Sequence, residues 1–160
     1  MSTLAYIGLG ANLGDAAATL EAAMQRLGSL PGTRLLQRSS FYRSAPVGYL
    51  DQPDFTNAVA AIETELAPHA VLDGLLAIEQ HFGRQRSFRN APRTLDMDLL
   101  LYGETVCHDD RLTLPHPRMA ARGFVMLPLL EIAPTIQLPG LGDGAALLAK
   151  LDTCDLERLA

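Results

Sequence analysis

Leu35-Leu36-Gln37-Arg38-Ser39-Ser40-Phe41-Tyr42 is followed, after a loop carrying Pro46, Gly48, Asp51 and Pro53, by Phe55-Thr56-Asn57-Ala58-Val59-Ala60-Ala61-Ile62-Glu63-Thr64. Both runs are rich in residues that suit a pleated, half-buried surface, and the turn formers between them leave no room for a helix. Two strands therefore follow one another directly. Upstream, Leu4-Ala5-Tyr6-Ile7-Gly8-Leu9 reads as a buried strand. Asn12 or Asp15 is placed to cap a helix whose stripe is Leu20, Ala23, Met24 and Leu27, closed by Gly28. Downstream, Pro68 suits the first turn of a second helix with the stripe Val71, Leu72, Leu75, Ile78 and Phe82, ended by Gly83. Leu95 to Tyr102 is the fourth strand. The order strand, helix, strand, strand, helix, strand is that of a ferredoxin-like βαββαβ core. A doubly wound parallel sheet would need a helix between the second and third strands. The expected fold class is α+β: a mainly antiparallel sheet with helices packed on it and C-terminal additions, including helices over 125–131 and 144–151.

The chain has 160 residues, 48% hydrophobic and 19% charged, which suits one globular domain. A single catalytic domain over 1–160 is expected. No apolar run is long enough to span a bilayer, and Met1-Ser2-Thr3-Leu4 lacks the basic start of a signal peptide. A cytoplasmic location with no membrane contact is the default. The net charge of -5 argues against a general nucleic-acid binder. No obligate protein partner is expected. Cys107 and Cys154 are far apart and lack metal-ligand spacing, so both read as reduced thiols without a role. His69, His81 and His108 read as isolated polar positions.

Thr94-Leu95-Asp96-Met97-Asp98-Leu99-Leu100-Leu101-Tyr102 carries the sharpest local signal. Alternation on a strand puts Asp96 and Asp98 on one face and Leu95, Met97 and Leu99 on the other. Adjacent carboxylates repel, and aspartate is disfavoured in strands, so the cost must be offset. A divalent cation such as Mg²⁺ would do so, since it takes oxygen ligands and completes its shell with water and phosphate. Taken alone, the pair fits a hydrated strand face equally well.

The preceding loop holds Arg84, Arg86, Arg89 and Arg93 within ten residues. Arginine's planar fork matches phosphate oxygens, and phosphoryl transfer needs positioning and charge neutralisation above all. The loop weighs the aspartate pair towards a phosphate site, and its composition suggests that residues 84–91 close over ATP. In Leu114-Pro115-His116-Pro117-Arg118, two prolines stiffen the backbone around His116, which with Arg122 is placed to meet phosphate oxygens. Gly8-Leu9-Gly10-Ala11-Asn12-Leu13-Gly14 invites a dinucleotide-binding reading, but its spacing is one residue too long. It reads instead as a tight turn with a helix cap. There is no P-loop, nucleophile elbow or paired-cysteine motif.

Together these segments resemble the 6-hydroxymethyl-7,8-dihydropterin pyrophosphokinase family. The resemblance rests on Tyr6 to Asp15, Ser39 to Ser44, Gln52 to Asn57, Pro92-Arg93-Thr94-Leu95-Asp96-Met97-Asp98, and Pro115 to Phe124. It implies transfer of the β,γ-pyrophosphoryl group of ATP to the hydroxymethyl group of a reduced pterin, with release of AMP. It also implies two Mg²⁺ ions on Asp96 and Asp98, with Arg84 and Arg93 assisting and Asp98 a candidate proton acceptor. Glu79, Arg86, Arg89, Arg93, Arg111, Thr113, His116 and Arg122 correspond to ATP contacts. Ser44, Ala45, Val47, Phe55, Asn57 and Phe124 correspond to the pterin pocket. That assignment makes chemical sense: two aromatic rings can sandwich a flat heterocycle, and an asparagine amide can read its amide edge. The chain departs from some members in lacking a loop tryptophan near Asn90, in Ala45 where a proline is common, and in Leu76 where some have glutamine.

Overall fold

The computed structural model describes residues 2–45, 53–82 and 95–159. Val47, Arg84, Arg86, Arg89 and Arg93, with the rest of loop 84–91, lie outside the described residues. The core elements are β1 (Thr3–Ala11), α1 (Ala16–Leu27), β2 (Thr33–Arg38), β3 (Tyr42–Ser44), β4 (Phe55–Thr64), α2 (Pro68–His81) and β5 (Asp96–Tyr102). Two hairpins and two helices follow: β6 (Cys107–His108), β7 (Thr113–Leu114), α3 (Gly123–Ile132), β8 (Gln137–Leu138), β9 (Gly142–Asp143) and α4 (Gly144–Ala149). The last strand, β10 (Glu157–Arg158), returns to the main sheet.

That sheet runs β10-β3-β4-β1-β5, with β2 also paired to β4, and every pairing is antiparallel. The centre is the β1–β4 pair, with β2 and β5 on either side, which is the ferredoxin-like arrangement expected from the element order. The expected strand Leu35–Tyr42 is two strands. Between them the Ser39 hydroxyl accepts from Val59 N–H at 2.9 Å, and Ser40 N–H donates to the Glu131 carboxylate at 3.0 Å. Ser39 N–H still donates to Val59 O at 2.8 Å, and side-chain bonds supply the rest at the kink. β2 pairs with the far half of β4 and β3 with its start.

Asp15, not Asn12, caps α1: its Oδ1 accepts from Ala18 N–H at 3.1 Å. Asn12 is buried, and its amide donates to the Pro53 carbonyl at 3.0 Å. Gly28 ends α1 in right-handed backbone, not left-handed. Its value is space, because a Cβ there would come 3.3 Å from Leu35 Cβ.

Two cores lie on opposite faces of the sheet. On one, Leu20, Met24, Leu27, Val71, Leu75 and Ile78 of α1 and α2 pack on Ile7, Leu9, Ala60 and Ile62. On the other, Val125, Met126 and Leu129 of α3 pack on Val59, Leu100 and Leu101. Each large side chain fully buried in this way contributes about 1.5–3 kcal/mol. Pro128 stands inside α3, so the helix tolerates one missing backbone bond within its packed face.

Candidate active site

Alternation on β5 sends Leu95, Met97 and Leu99 into the first core, as expected, and leaves Asp96 and Asp98 half-buried on the α3 face. The register then sets their neighbours. Asn57, Gly10 and Asp96 stand side by side across β4, β1 and β5; Val59, Gly8 and Asp98 form the next such row. Gly8 lies in the strand, as the run Leu4–Leu9 predicts, and Gly10 lies in it too: β1 runs on to Ala11, and of the glycine-rich segment read as a tight turn the turn glycine is Gly14, with φ 62°. Between Asn57 and Asp96, two strand spacings or roughly 10 Å apart, the sheet surface is bare backbone. Glycine inside a strand marks close approach by something else. That signal could have identified the floor from sequence.

A cleft of about 680 Å³ opens over this floor. Its walls include Ser44, Ala45, Phe55, Asn57, Asp96, Asp98, Arg122 and Phe124. Asn57 is nearly inaccessible, and its Nδ2 donates to Ser44 Oγ at 2.7 Å. That bond fixes the amide and leaves Oδ1 beside Gly10, where an added Cβ would sit 3.0 Å away. The Arg122 guanidinium lies 5.5 Å from the centroid of Phe124. A flat, mostly apolar slot with one oriented amide suits a heterocycle carrying an amide edge.

A second cleft, about 630 Å³, lies on the outer side of β5 and is walled by Leu72, Asp98, Arg111, Thr113 and His116. Asp98 lines both clefts. His116 is fixed by its backbone, which donates to Leu100 O at 2.9 Å. Its Nδ1 accepts from Arg118 N–H at 3.2 Å, so the ring proton belongs on Nε2, 3.9 Å from Asp98 Oδ1. Burial, followed by the charges of Arg122 and Arg118, pushes the imidazole down to about 4, so it is neutral at pH 7. The Arg111 guanidinium pairs with Asp73 on α2. The Thr113 hydroxyl is 3.4 Å from His108 Nδ1.

Glu79 is buried on α2, and its Oε2 accepts from Met97 N–H at 2.7 Å. β5 is an edge strand, so this carboxylate takes up an amide that the sheet leaves unpaired, midway between Asp96 and Asp98. The structure thus brings together Ser44, Ala45, Phe55, Asn57, Asp96, Asp98, Arg122 and Phe124 in one cleft, and Arg111, Thr113 and His116 in the adjoining one. Glu79 stands behind them.

An antiparallel α+β sheet bearing a carboxylate pair between a heterocycle slot and a polar cleft walled by Arg111, Thr113 and His116 has the form of a phosphotransferase-type site outside the P-loop class. The sequence model of 7,8-dihydro-6-hydroxymethylpterin-pyrophosphokinase (HPPK) matches residues 6–134, and the chain belongs to that family. It is 46% identical over 157 residues to the 2-amino-4-hydroxy-6-hydroxymethyldihydropteridine pyrophosphokinase of Methylorubrum extorquens, covering 98% of this chain and 99% of that one. With the Haemophilus influenzae enzyme of the same name it shares 50% over 135 residues, 84% of each chain. Among solved structures, a Plasmodium falciparum HPPK-DHPS superposes with a TM-score of 0.77 at 15% identity, over 94% of this chain and 44% of that longer one. That likeness establishes the fold.

Proposed function

We propose that this chain carries out the family's reaction, transfer of pyrophosphate from ATP to 6-hydroxymethyl-7,8-dihydropterin in folate biosynthesis, in the two clefts that meet at Asp98. The observation that carries the site assignment is the placement of that one carboxylate: it lines the flat slot and the second, polar cleft together. A hydroxyl held in the first and a polyphosphate held in the second would converge there.

The roles follow from chemistry. The pterin would lie on the glycine floor, with the Asn57 amide, held by Ser44, reading its amide edge. Phe55 and Phe124 supply apolar walls. ATP would occupy the second cleft, where neutral His116 offers Nε2–H to a phosphate oxygen without needing to be charged. Arg122, on the first cleft's rim, supplies positive charge. Asp96 and Asp98 offer hard oxygen donors on one face of a strand held rigid by Glu79 and β1, a set that fits Mg²⁺. When bound there, Mg²⁺ would neutralise charge on the transferring phosphates. Aligning the pterin hydroxyl with the β-phosphorus, and AMP away from it, is then the work of the two clefts. Residues 84–93 complete the ATP site in this reading, through Arg84, Arg86, Arg89 and Arg93.

The test is incubation with Mg-ATP and the hydroxymethyl dihydropterin, with nucleotide products separated. AMP formed in equal amount to pterin diphosphate is expected. ADP as product, or undiminished turnover with EDTA, contradicts the proposal.

A further inference from the structure

Three side chains to which that reaction gives no role converge at the edge of the second cleft, whose wall includes Asp109. His69 sits in the first turn of α2; Cys107 and Asp109 belong to the β6–β7 hairpin. His69 Nε2 is 2.7 Å from Asp109 Oδ2, and Cys107 Sγ is 3.6 Å from the same oxygen. One ligand atom from each of the three lies within 4.8 Å of the other two. We propose that His69, Cys107 and Asp109 bind a thiophilic late first-row divalent cation, of the Zn²⁺ or Co²⁺ class, which clamps the β6–β7 hairpin to α2.

The donor set selects this class. One imidazole, one thiolate and one carboxylate suit a tetrahedral borderline-soft ion and are poor for Mg²⁺ or Ca²⁺. Bond lengths near 2.0–2.3 Å give ligand–ligand edges of roughly 3.3–3.8 Å. The sulfur–oxygen separation already falls there, and the nitrogen–oxygen pair must open by about half an ångström. It can, because the His69 and Asp109 side chains are 42% and 44% exposed.

Asp109 is already aimed. Its Oδ1 accepts from the backbone N–H groups of Arg111 and Leu112, both at 2.9 Å, which leaves Oδ2 directed at His69 and Cys107. Outer bonds of this kind orient ligands in established metal sites. Those amides outweigh the opposing effect of burial and, with a lesser contribution from His69, hold the Asp109 carboxyl down to about 2, so it is charged at neutral pH. On binding, the Cys107 S–H proton leaves to solvent and the sulfur lone pair forms the metal–sulfur bond. Three protein ligands leave a fourth position for water. The hairpin so clamped carries Arg111 and Thr113 into the second cleft.

Titration of the full chain with Co²⁺, in saturating Mg²⁺ to occupy Asp96 and Asp98, tests the site by its own spectrum. One equivalent should bind with tetrahedral visible bands and a near-ultraviolet sulfur-to-cobalt charge-transfer band, bleached by Zn²⁺. Cys107→Ser should remove the sulfur band. His69→Gln, a change at an exposed position, should weaken Co²⁺ binding at least tenfold. Cys154→Ser should change neither. No sulfur band in the native chain, a band that survives Cys107→Ser, or one that disappears with Cys154→Ser overturns the proposal. These readouts are independent of pyrophosphoryl transfer.

Discussion

Gly10→Ala separates substrate recognition from folding. The added Cβ would stand 3.0 Å from Asn57 Oδ1, against an ordinary contact distance that begins at 3.4 Å, so the amide must yield by 0.4 Å (3.4 − 3.0). It cannot simply retreat, because Nδ2 is tied to Ser44 Oγ at 2.7 Å and both residues are buried. Stability should change little. Alanine recovers about 0.5–1 kcal/mol of backbone entropy in a strand, which roughly offsets a weakened hydrogen bond of about 0.5–1.5 kcal/mol. Recognition should suffer more. An amide displaced from the pterin edge forfeits up to two hydrogen bonds, about 1.5–3 kcal/mol, or roughly ten- to a hundredfold in kcat/KM. ATP affinity should hold, since Gly10 does not border the second cleft. The assay is AMP formation with pterin varied at saturating Mg-ATP, beside titration with a non-hydrolysable ATP analogue and a thermal melt. An unchanged kcat/KM for pterin in a folded variant would refute the role given to the glycine floor. So would an equal loss of ATP-analogue affinity.

Asp98→Asn keeps the shape of the junction and removes its charge; kcat should fall by about 10²–10³-fold, and near-normal turnover at saturating Mg²⁺ would remove Asp98 from the metal site. Glu79→Ala deprives the Met97 amide of its acceptor and should cost about 1–3 kcal/mol, read as a melting midpoint lowered by about 2–4 °C per kcal/mol; an unchanged midpoint means solvent serves the edge equally well. His116 is held at about 4 when folded and near 6.5 when unfolded. Between those values the unfolded chain binds the extra proton, so the native chain loses stability as pH falls from 6.5 towards 4, by at most about 1.4 kcal/mol per pH unit. His116→Asn should lessen the pH dependence of urea-denaturation free energy in that window, and a slope identical to the native chain's would falsify the assignment.

Much of the fold was legible because its periodicities are local. The stripe of α1 and the alternation of β5 each bury what their spacing predicts. The kink at Ser39–Ser40 was not legible, because it depends on Val59 and on Glu131, about ninety residues downstream. No local pattern marks Glu131 as the acceptor for Ser40 and for Tyr42 OH at 2.6 Å. Burial raises its pKa, but those donors outweigh it and hold the carboxyl below the usual range. The continuation of β1 through Gly10 is not legible, because a glycine-rich run looks alike in a loop and in a strand cleared for a ligand.

By itself, the sequence determined the element order, the shared face of Asp96 and Asp98, and the motifs that mark the family. Each of these depends on spacing along a few residues, which backbone geometry converts directly into direction. Only the tertiary structure decided that Asp98 borders two clefts and that Gly10 stands between Asn57 and Asp96. It alone brought His69 to Cys107 and Asp109. Those relations depend on which strands pair, in what register, and on where a hairpin lands on a helix. Such choices follow from burying two faces of one sheet at once, a property of the whole chain that no local stretch contains.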